Sequence, residues 1–211
     1  MHTSIINALK WRYATNIFDT SKKISPEDVA SILEAGNLMP TAYGLQPFCI
    51  ISITNEAVKA KLLEASYGQK HLVENSHLVV IAARTDIDDA MIAKYTARIE
   101  RTRGLPAGAV DGYKAVMIND LTNRSKEAVE AWTAKQAYLA LGGMIVEASA
   151  RGIDNHAAEG FMPDTYDEIL ELKEKNLHAV VVLALGYRAA DDQSQHYPKV
   201  RVASDEMIVH I

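Results

Sequence analysis

The sequence contains little cysteine, no long apolar run and no excess of positive charge. Cys49 is the single cysteine among 211 residues, so no disulfide can form within the chain, which fits a reducing cytoplasmic setting. Because Cys49 lies in the apolar run 48–51, we expect a buried core thiol and not a nucleophile. The longest apolar run, 179–185, is far too short for a membrane span, and the N-terminus lacks the apolar core of a signal peptide.

Charge and missing motifs exclude several further classes of protein. A formal net charge of -5 offers no basic excess for binding nucleic acid or a membrane surface, so we expect neither partner. The chain has no Gly-x-Gly-x-x-Gly fingerprint, no P-loop and no Gly-x-Ser-x-Gly elbow, and its 7 histidines show no metal-ligand spacing. Without an evident nucleophile, metal site or acid–base pair, difficult chemistry would have to come from a bound cofactor.

What remains is the composition of an ordinary globular protein, with 48% hydrophobic and 23% charged residues. Helical patterns alternate with short apolar stretches, and the sequence Ser25-Pro26-Glu27-Asp28 is typical of a helix start. We predict helices at 4–10, 25–36 and 125–151, and buried strands at 48–53, 78–83 and 179–185, with 153–158 as a candidate fourth strand. Strands this apolar, separated by helices, indicate a sheet covered on both faces, either α/β or α+β.

The helix predicted at 125–151 is apolar on every side in its second half. Such a helix is expected to be buried all round, either in the middle of the molecule or at a large subunit interface. Gly142 and Gly143 would let another backbone approach it closely. The preceding region, 86–123, is charged and helical with a break at Gly104-Leu105-Pro106, and we interpret it as an excursion or lid.

Two cations near the C-terminus, Lys199 and Arg201, flank Val200 and follow Pro198. An extended segment points alternate side chains to one face, so both cations can meet a single anion. If Arg12 folds onto the same place, three cations converge, and a phosphate is their natural ligand. The alternative is that all three are solvated surface charges, which are common on soluble proteins.

Six short segments carry a resemblance to a known family. They are 12–19, 40–48, 69–76, 134–139, 158–161 and 198–201. In order and spacing they resemble the FMN-dependent nitroreductase family, especially its oxygen-insensitive NAD(P)H nitroreductase and dihydropteridine reductase-like branch. The resemblance implies an α+β fold, a three-layer α/β/α sandwich with a mostly antiparallel central sheet. It further implies one domain over 1–211, with 86–123 as the helical lid, and an intertwined homodimer that binds one FMN per subunit at the subunit interface.

The resemblance also implies which residues hold the cofactor. Arg12, Lys199 and Arg201 would bind the phosphate and ribityl end of FMN. The other residues implied to bind the cofactor would form the walls of its pocket and surround the flavin ring: Tyr13, Ala14, Asn16, Pro40, Thr41, Ala42, Gly44, Gln69, Ala157, Ala158, Glu159 and Gly160. Asn16 would approach the pyrimidine edge, Gln69 the ring edge, and the loop 40–44 would come across from the partner subunit.

No side chain is implied as catalytic and no metal is implied, because FMN carries the chemistry. The backbone N–H of Glu159 or Gly160 would lie near the flavin N5 atom and tune its reaction. NADH or NADPH would deliver hydride to N5, and a small electron-poor acceptor such as a nitroaromatic or a quinone would then be reduced, in a ping-pong mechanism. The alternatives are a flavin-binding carrier or sensor without turnover, and a flavin reductase or dehalogenase of the same fold.

The sequence departs from the family pattern at three places. Asn16 stands where many relatives have lysine or arginine, so we expect a lower flavin potential here unless another cation such as Lys70 substitutes. Ala42 and Gly44 replace a hydroxyl-bearing residue and an asparagine, which implies fewer hydrogen bonds to the ring. The lid, 86–123, aligns poorly, so the resemblance does not transmit the choice of acceptor.

Overall fold

The computed structural model describes residues 4–211, and its centre is a four-stranded antiparallel sheet. The strands are β1 (Phe48–Ile53), β2 (His77–Arg84), β3 (Asp154–Ala158) and β4 (Leu177–Gly186). Their order across the sheet is β1-β2-β4-β3, and every neighbouring pair is antiparallel. All four predicted strands are therefore confirmed, including the candidate at 153–158. The antiparallel pairing decides for α+β over α/β.

Eight α-helices accompany the sheet within residues 4–211. They are α1 (Ile5–Trp11), α2 (Pro26–Leu38), α3 (Glu56–Ala65), α4 (Asp89–Arg103), α5 (Asp111–Leu121), α6 (Lys126–Ala150), α7 (Pro163–Ile169) and α8 (Ser204–Met207). The predicted helix starts are accurate where a cap specifies them. Ser25 accepts a hydrogen bond from the N–H of Asp28, and Ser125 accepts one from the N–H of Ala128.

Two hydrophobic clusters on opposite faces of the sheet make three layers. On one face, α2 and α6 pack against Val79, Ile81 and Val181. On the other face, α3 and α7 pack against Leu78 and Val182. Successive residues of β2 alternate between the two clusters, which is the period of a strand buried on both sides. The α/β/α sandwich is confirmed.

The excursion forms a smaller cluster of its own. Helices α4 and α5 pack on each other, with Ile92, Met117 and Leu121 buried between them and Val129 of α6. Gly104, in the left-handed conformation with φ of 64°, ends α4 at the predicted Gly/Pro break.

The prediction that Cys49 is a buried core thiol is wrong. Cys49 is exposed, and of the six residues in β1 only Ile53 is buried. The reason is the position of β1 in the sheet, because within residues 4–211 it pairs with β2 alone and is an edge strand. The apolar composition of 48–51 indicates a strand correctly but does not distinguish an edge strand from a central one.

Helix α6 is not buried all round within one chain. Its inner side packs on the sheet through Ala137, Ala140 and Met144, whereas Tyr138 and Leu139 are about two-fifths exposed (37% and 43%). A Cβ on Gly143 would lie 2.5 Å from Met39 Cγ and 3.0 Å from the Ala35 carbonyl oxygen, so α2 does approach this glycine closely. Along residues 4–211, neither α6 nor any other helix has the length and hydropathy to cross a membrane.

Candidate functional site

The three predicted cations meet at one cavity. Arg12, Lys199 and Arg201 line a pocket of about 510 Å³, although Arg12 and Arg201 stand at opposite ends of the chain. Val200, between the two C-terminal cations, is 85% exposed, as alternation along a non-helical segment predicts. Tyr13, Ala14 and Asn16 line the same pocket, together with Ser194, Gln195, Tyr197 and Pro198.

The pocket carries concentrated positive charge. Among residues 4–211 no carboxylate forms an ion pair with Lys199 or Arg201. Burial lowers the pKa of Lys199, and the charges of Arg12 and Arg201 lower it further. The pKa of Arg12 is likewise lowered by burial and by Arg201. The Asp154 carboxylate opposes this lowering at Arg12, but within residues 4–211 none of the three cations forms an ion pair. Because the cations repel one another, an anion in the pocket would relieve the repulsion.

Arg12 is held in place from β3. Its Nε donates to Asn155 Oδ1 at 3.0 Å and its Nη2 to the Asn155 carbonyl oxygen at 3.4 Å. The buried amide of Asn155 donates in turn to Ser149 Oγ at 3.2 Å. Lys199 Nζ donates to the Arg12 carbonyl oxygen, which brings the C-terminal segment onto the N-terminal one. Specific hydrogen bonds therefore hold Arg12 and Lys199 next to each other.

Asp192 holds the other residues of the N-terminal wall of the pocket, which is the segment 12–17. Its buried carboxylate accepts from the backbone N–H of Asn16 at 2.9 Å, from that of Ile17 at 3.2 Å, and from the Tyr13 hydroxyl at 3.0 Å. Burial by itself would raise the pKa of Asp192, but these N–H donors together with that of Ser194 hold the pKa below its usual value. The Asn16 side chain, exposed at the pocket, donates to Ser194 Oγ at 2.8 Å.

A second group of predicted residues meets where β3 ends. Gln69 Nε2 donates to the Gly160 carbonyl oxygen at 2.5 Å, so the turn 69–72 lies against the segment 157–160. Glu159 is anchored from α6, because its carboxylate accepts from the Tyr138 hydroxyl at 2.7 Å. Among residues 4–211 the backbone N–H groups of Glu159 and Gly160 donate no hydrogen bond. Both N–H groups are thus available to a ligand.

The loop 40–44 lies elsewhere in the same chain. The Ala42 N–H donates to Gln136 Oε1 at 2.8 Å, and the Tyr43 carbonyl oxygen accepts from the hydroxyls of Tyr95 and Tyr113 at 2.7 and 2.9 Å. Within one chain, Tyr43 and Gly44 therefore contact the excursion and Ala42 contacts α6. The residues predicted to bind the cofactor from this loop, Pro40, Thr41, Ala42 and Gly44, do not line the cationic pocket. The loop is a short 3₁₀ turn after α2, with Tyr43 at a φ of 60°.

The structure explains why this chain has glycine at position 44. Its φ is 72°, and a Cβ added to it would lie 2.4 Å from the Tyr95 hydroxyl oxygen. The space that an asparagine side chain would need is taken by Tyr95, which uses its hydroxyl to hold the Tyr43 carbonyl.

Several residues that support the site could not be recognised from the sequence. Asn155 and Asp192 hold the pocket wall, yet each stands in a local sequence without a recognisable motif. Their partners are more than 140 positions away in sequence, so only an observed contact or covariation between positions could have identified them.

Three potential metal ligands, Asp164, Asp167 and His178, come within 4.8 Å of one another. Protein groups already occupy this cluster. His178 Nδ1 lies 2.6 Å from Asp167 Oδ2, the N–H of Ala179 donates to Asp167 Oδ1, and Lys173 Nζ lies 4.0 Å from Asp164. The cluster gives no reason to revise the prediction that no metal is bound. Of the seven histidines considered for metal binding, His2 lies outside the described residues.

Comparison with known proteins gives concordant results. The sequence model of the family described as "Nitroreductase family" matches residues 9–187. The protein named "Putative NAD(P)H nitroreductase YfkO" of Bacillus subtilis (strain 168) is 35% identical over 219 residues, which covers 99% of this chain and 97% of the relative. A relative with the corresponding name from Staphylococcus haemolyticus, SH0546, is 34% identical and covers the same shares.

Solved structures agree on the fold. The protein named "putative nitroreductase ydfN", from Bacillus subtilis, superposes with a TM-score of 0.86 at 19% identity, covering 98% of both chains. A protein named "putative nitroreductase", from Exiguobacterium sibiricum 255-15 and solved in complex with FMN, superposes with a TM-score of 0.83 at 24% identity, covering 100% of this chain and 99% of that one. From the family match and the full-length sequence likeness, this chain belongs to the nitroreductase family.

Proposed function

We propose that this protein is an FMN-dependent NAD(P)H oxidoreductase that reduces a small electron-poor acceptor such as a nitroaromatic or a quinone. One observation carries the proposal: Arg12, Lys199 and Arg201 converge on a single cavity, and within residues 4–211 no carboxylate forms an ion pair with any of them. The names of the sequence relatives and the FMN in the Exiguobacterium structure point in the same direction.

The donor set fits FMN at both ends. A phosphate would pair with the three cations, and the orphan N–H groups of Glu159 and Gly160 would face the flavin ring near N5. Between them, the N-terminal segment and β3 are joined by the backbone bridge Ala14–Asn155, so phosphate and ring ends share one rigid wall. When bound, FMN supplies hydride and two-electron chemistry that no side chain of this chain offers.

The residues of the chain have positioning and electrostatic tasks in this proposal. The cations fix the cofactor by its phosphate and so determine where the ring lies. The N–H dipoles of Glu159 and Gly160 favour charge that develops at the ring, without themselves transferring a proton. Tyr138 holds the Glu159 carboxylate at 2.7 Å and thereby keeps this turn in place.

A homodimer completes the site in this proposal. Large apolar side chains are exposed on α1, on α6 and in the C-terminal segment: Ile5, Ile6, Leu139, Val200, Val202, Ile208 and Val209. Apolar surface of this extent, on three segments, is typical of a face that a second subunit covers. The loop 40–44 would then reach the cofactor of the partner, which accounts for its distance from the cationic pocket in its own chain.

The test removes Lys199 and Arg201, which we call the phosphate clamp. The double variant Lys199→Ala, Arg201→Ala should lose FMN on desalting, whereas wild type stays yellow, because a phosphate without its cations is easily hydrated. Lys173→Ala, Lys175→Ala is the matched control, since it removes two exposed cations of the same spacing from another surface. If the clamp variant retained full FMN occupancy, the cofactor would not be held by this pocket.

Turnover is tested separately under anaerobic conditions. NADH or NADPH should bleach the oxidised flavin absorption of wild type, and an added nitroaromatic or quinone should restore it. A flavin that binds but is not bleached by either nucleotide would identify a carrier or sensor. Parallel lines in double-reciprocal plots would establish the ping-pong order.

A further inference from the structure

Two histidines form a stacked pair between the segments assigned to the flavin ring. His71 lies on the 3₁₀ turn that follows Gln69, and His156 lies on β3 just before Ala157. Their ring centroids are 4.1 Å apart and their planes differ by 16°. Both side chains are partly buried, so the contact is made largely away from water.

The pair joins three segments of the proposed site. His156 Nδ1 lies 2.9 Å from the Thr15 carbonyl oxygen, and since a carbonyl only accepts, this nitrogen carries the proton. The same strand end is bound to the turn by the hydrogen bond from Gln69 to Gly160. The stacked rings are thus a second connection between the turn and β3, and His156 adds a third connection to the N-terminal wall.

The surroundings favour an uncharged pair. His71 Nε2 is buried and, within residues 4–211, has no hydrogen-bond partner, so a proton there would have no acceptor. Burial, and secondarily the neighbouring His156, lowers the pKa of His71 to about 4. Burial also lowers the pKa of His156, whose charged neighbours are Arg12 and Asp192. The charges on the turn itself, Lys70 and Glu74, pair with each other in solvent at 3.6 Å.

We propose that His71 and His156 are positioning residues of the flavin site, which as a neutral stack hold the turn of Gln69 against the strand end of Glu159 and Gly160. They act through the backbone and touch neither cofactor nor acceptor in this assignment. Protonation of the stack would place a cation against a second ring and would release the turn. This inference rests on the proposed function, because it assumes that FMN occupies the pocket.

The experiment measures the FMN dissociation constant of the full-length apoprotein from pH 7.5 to pH 4.0, by quenching of FMN fluorescence. His71→Phe keeps an aromatic ring but cannot titrate, and His71→Ala removes the ring. His77→Phe is the control. His77 is also partly buried and burial lowers its pKa, but it is not part of the stacked pair, and its charged neighbours are Lys59 and Lys23. Far-UV circular dichroism at each pH confirms that every variant is folded.

At pH 7.5 we expect His71→Phe to bind FMN within about twofold of wild type. His71→Ala should bind about three- to tenfold more weakly, the range expected for loss of one aromatic contact. The second ionisation of the FMN phosphate, near pH 6, weakens binding in every variant as the pH falls. The decisive quantity is therefore the ratio of the wild-type constant to that of His71→Phe.

That ratio should rise from about one to about two or more at pH 4.0, where about half of His71 is protonated and unable to hold the turn. The His77→Phe control should follow wild type. A ratio that stays at one would overturn the inference. So would a ratio that falls below one, because a protonated ring would then be attracting the phosphate. Binding of FMN by His71→Ala as tight as that of wild type would overturn it as well. If wild type itself did not bind FMN, the proposed function would fail first; normal binding with a flat ratio would refute only the role of the pair.

Discussion

Replacing Gly44 by asparagine, the residue that the family pattern has at this position, should destabilise this protein. The cost has two parts. The backbone φ of 72° costs asparagine less than the roughly 1–2 kcal/mol that most L-residues incur in this region. The new Cβ would also lie 2.4 Å from the Tyr95 hydroxyl, which must move and give up its 2.7 Å hydrogen bond to the Tyr43 carbonyl, at about 1 kcal/mol. We expect a total loss of about 2 kcal/mol in the free energy of unfolding.

A double-mutant cycle isolates the contact with Tyr95. Tyr95→Phe alone should cost about 1 kcal/mol for the lost hydrogen bond, since the Tyr43 carbonyl keeps its bond from Tyr113. In Tyr95→Phe the next atom facing the added Cβ is Cζ at 3.4 Å, an ordinary contact. The double variant should therefore cost about 2 kcal/mol and not about 3, a coupling of about 1 kcal/mol.

Urea unfolding followed by circular dichroism, at one protein concentration, measures the three variants against wild type. Gly152→Asn is the matched control, because Gly152 has a φ of 73° and nothing within 4 Å of an added Cβ, so this substitution should show the backbone cost alone. Additive costs in the cycle, or equal losses for Gly44→Asn and Gly152→Asn, would show that Tyr95 does not determine the residue at position 44.

Two further predictions concern the N-terminal wall of the pocket. Asn16→Lys should raise the flavin potential in an anaerobic redox titration, on the order of 30 mV or about 1.4 kcal/mol for two electrons, because a cation near the pyrimidine edge favours the anionic reduced flavin; an unchanged or lower potential would contradict this. Asp192→Asn should be less stable than wild type at pH 7, by about 1–3 kcal/mol, because the N–H groups of Asn16 and Ile17 lose a charged acceptor. Since the folded pKa of Asp192 is lowered, its stabilisation is complete above its unfolded pKa, about 3.9, and is lost as the pH falls through the folded value, so the gap between the two proteins should narrow below about pH 4. Urea midpoints at pH 7 and pH 3 measure that gap, and a constant difference would refute the assignment.

The elements of the fold were predictable because their signals are local. The apolar stretch of β1 was predicted with its observed bounds, and the caps at Ser25 and Ser125 specify where α2 and α6 begin. The neighbours of a strand in the sheet are not a local property. For that reason the sequence indicated a strand around Cys49 but led to the wrong expectation of burial, since β1 is at the edge.

The candidate site divides in the same way. The types of residue that could hold a phosphate, and their alternation around Val200, could be recognised in the sequence. Arg12 was a conditional third cation there, and the resemblance to the family then assigned all three to the FMN phosphate. The resemblance could not supply the contacts that hold these residues, such as that of Asn155 with the Arg12 side chain and that of Asp192 with the Asn16 backbone. Nor could it explain Gly44, whose reason is a tyrosine 51 positions later in the chain.

By itself the sequence determined the four strands, the helices that begin after Ser25 and Ser125, the absence of the common catalytic motifs and the presence of three cations suited to an anion. The tertiary structure decided that Lys199 lies against the Arg12 backbone, that no carboxylate within residues 4–211 neutralises the C-terminal pair, and that His71 stacks on His156. The physical reason is that hydrophobic periodicity and capping act over a few residues, whereas these contacts join positions between 85 and 187 residues apart, which only the packed sheet and helices bring together.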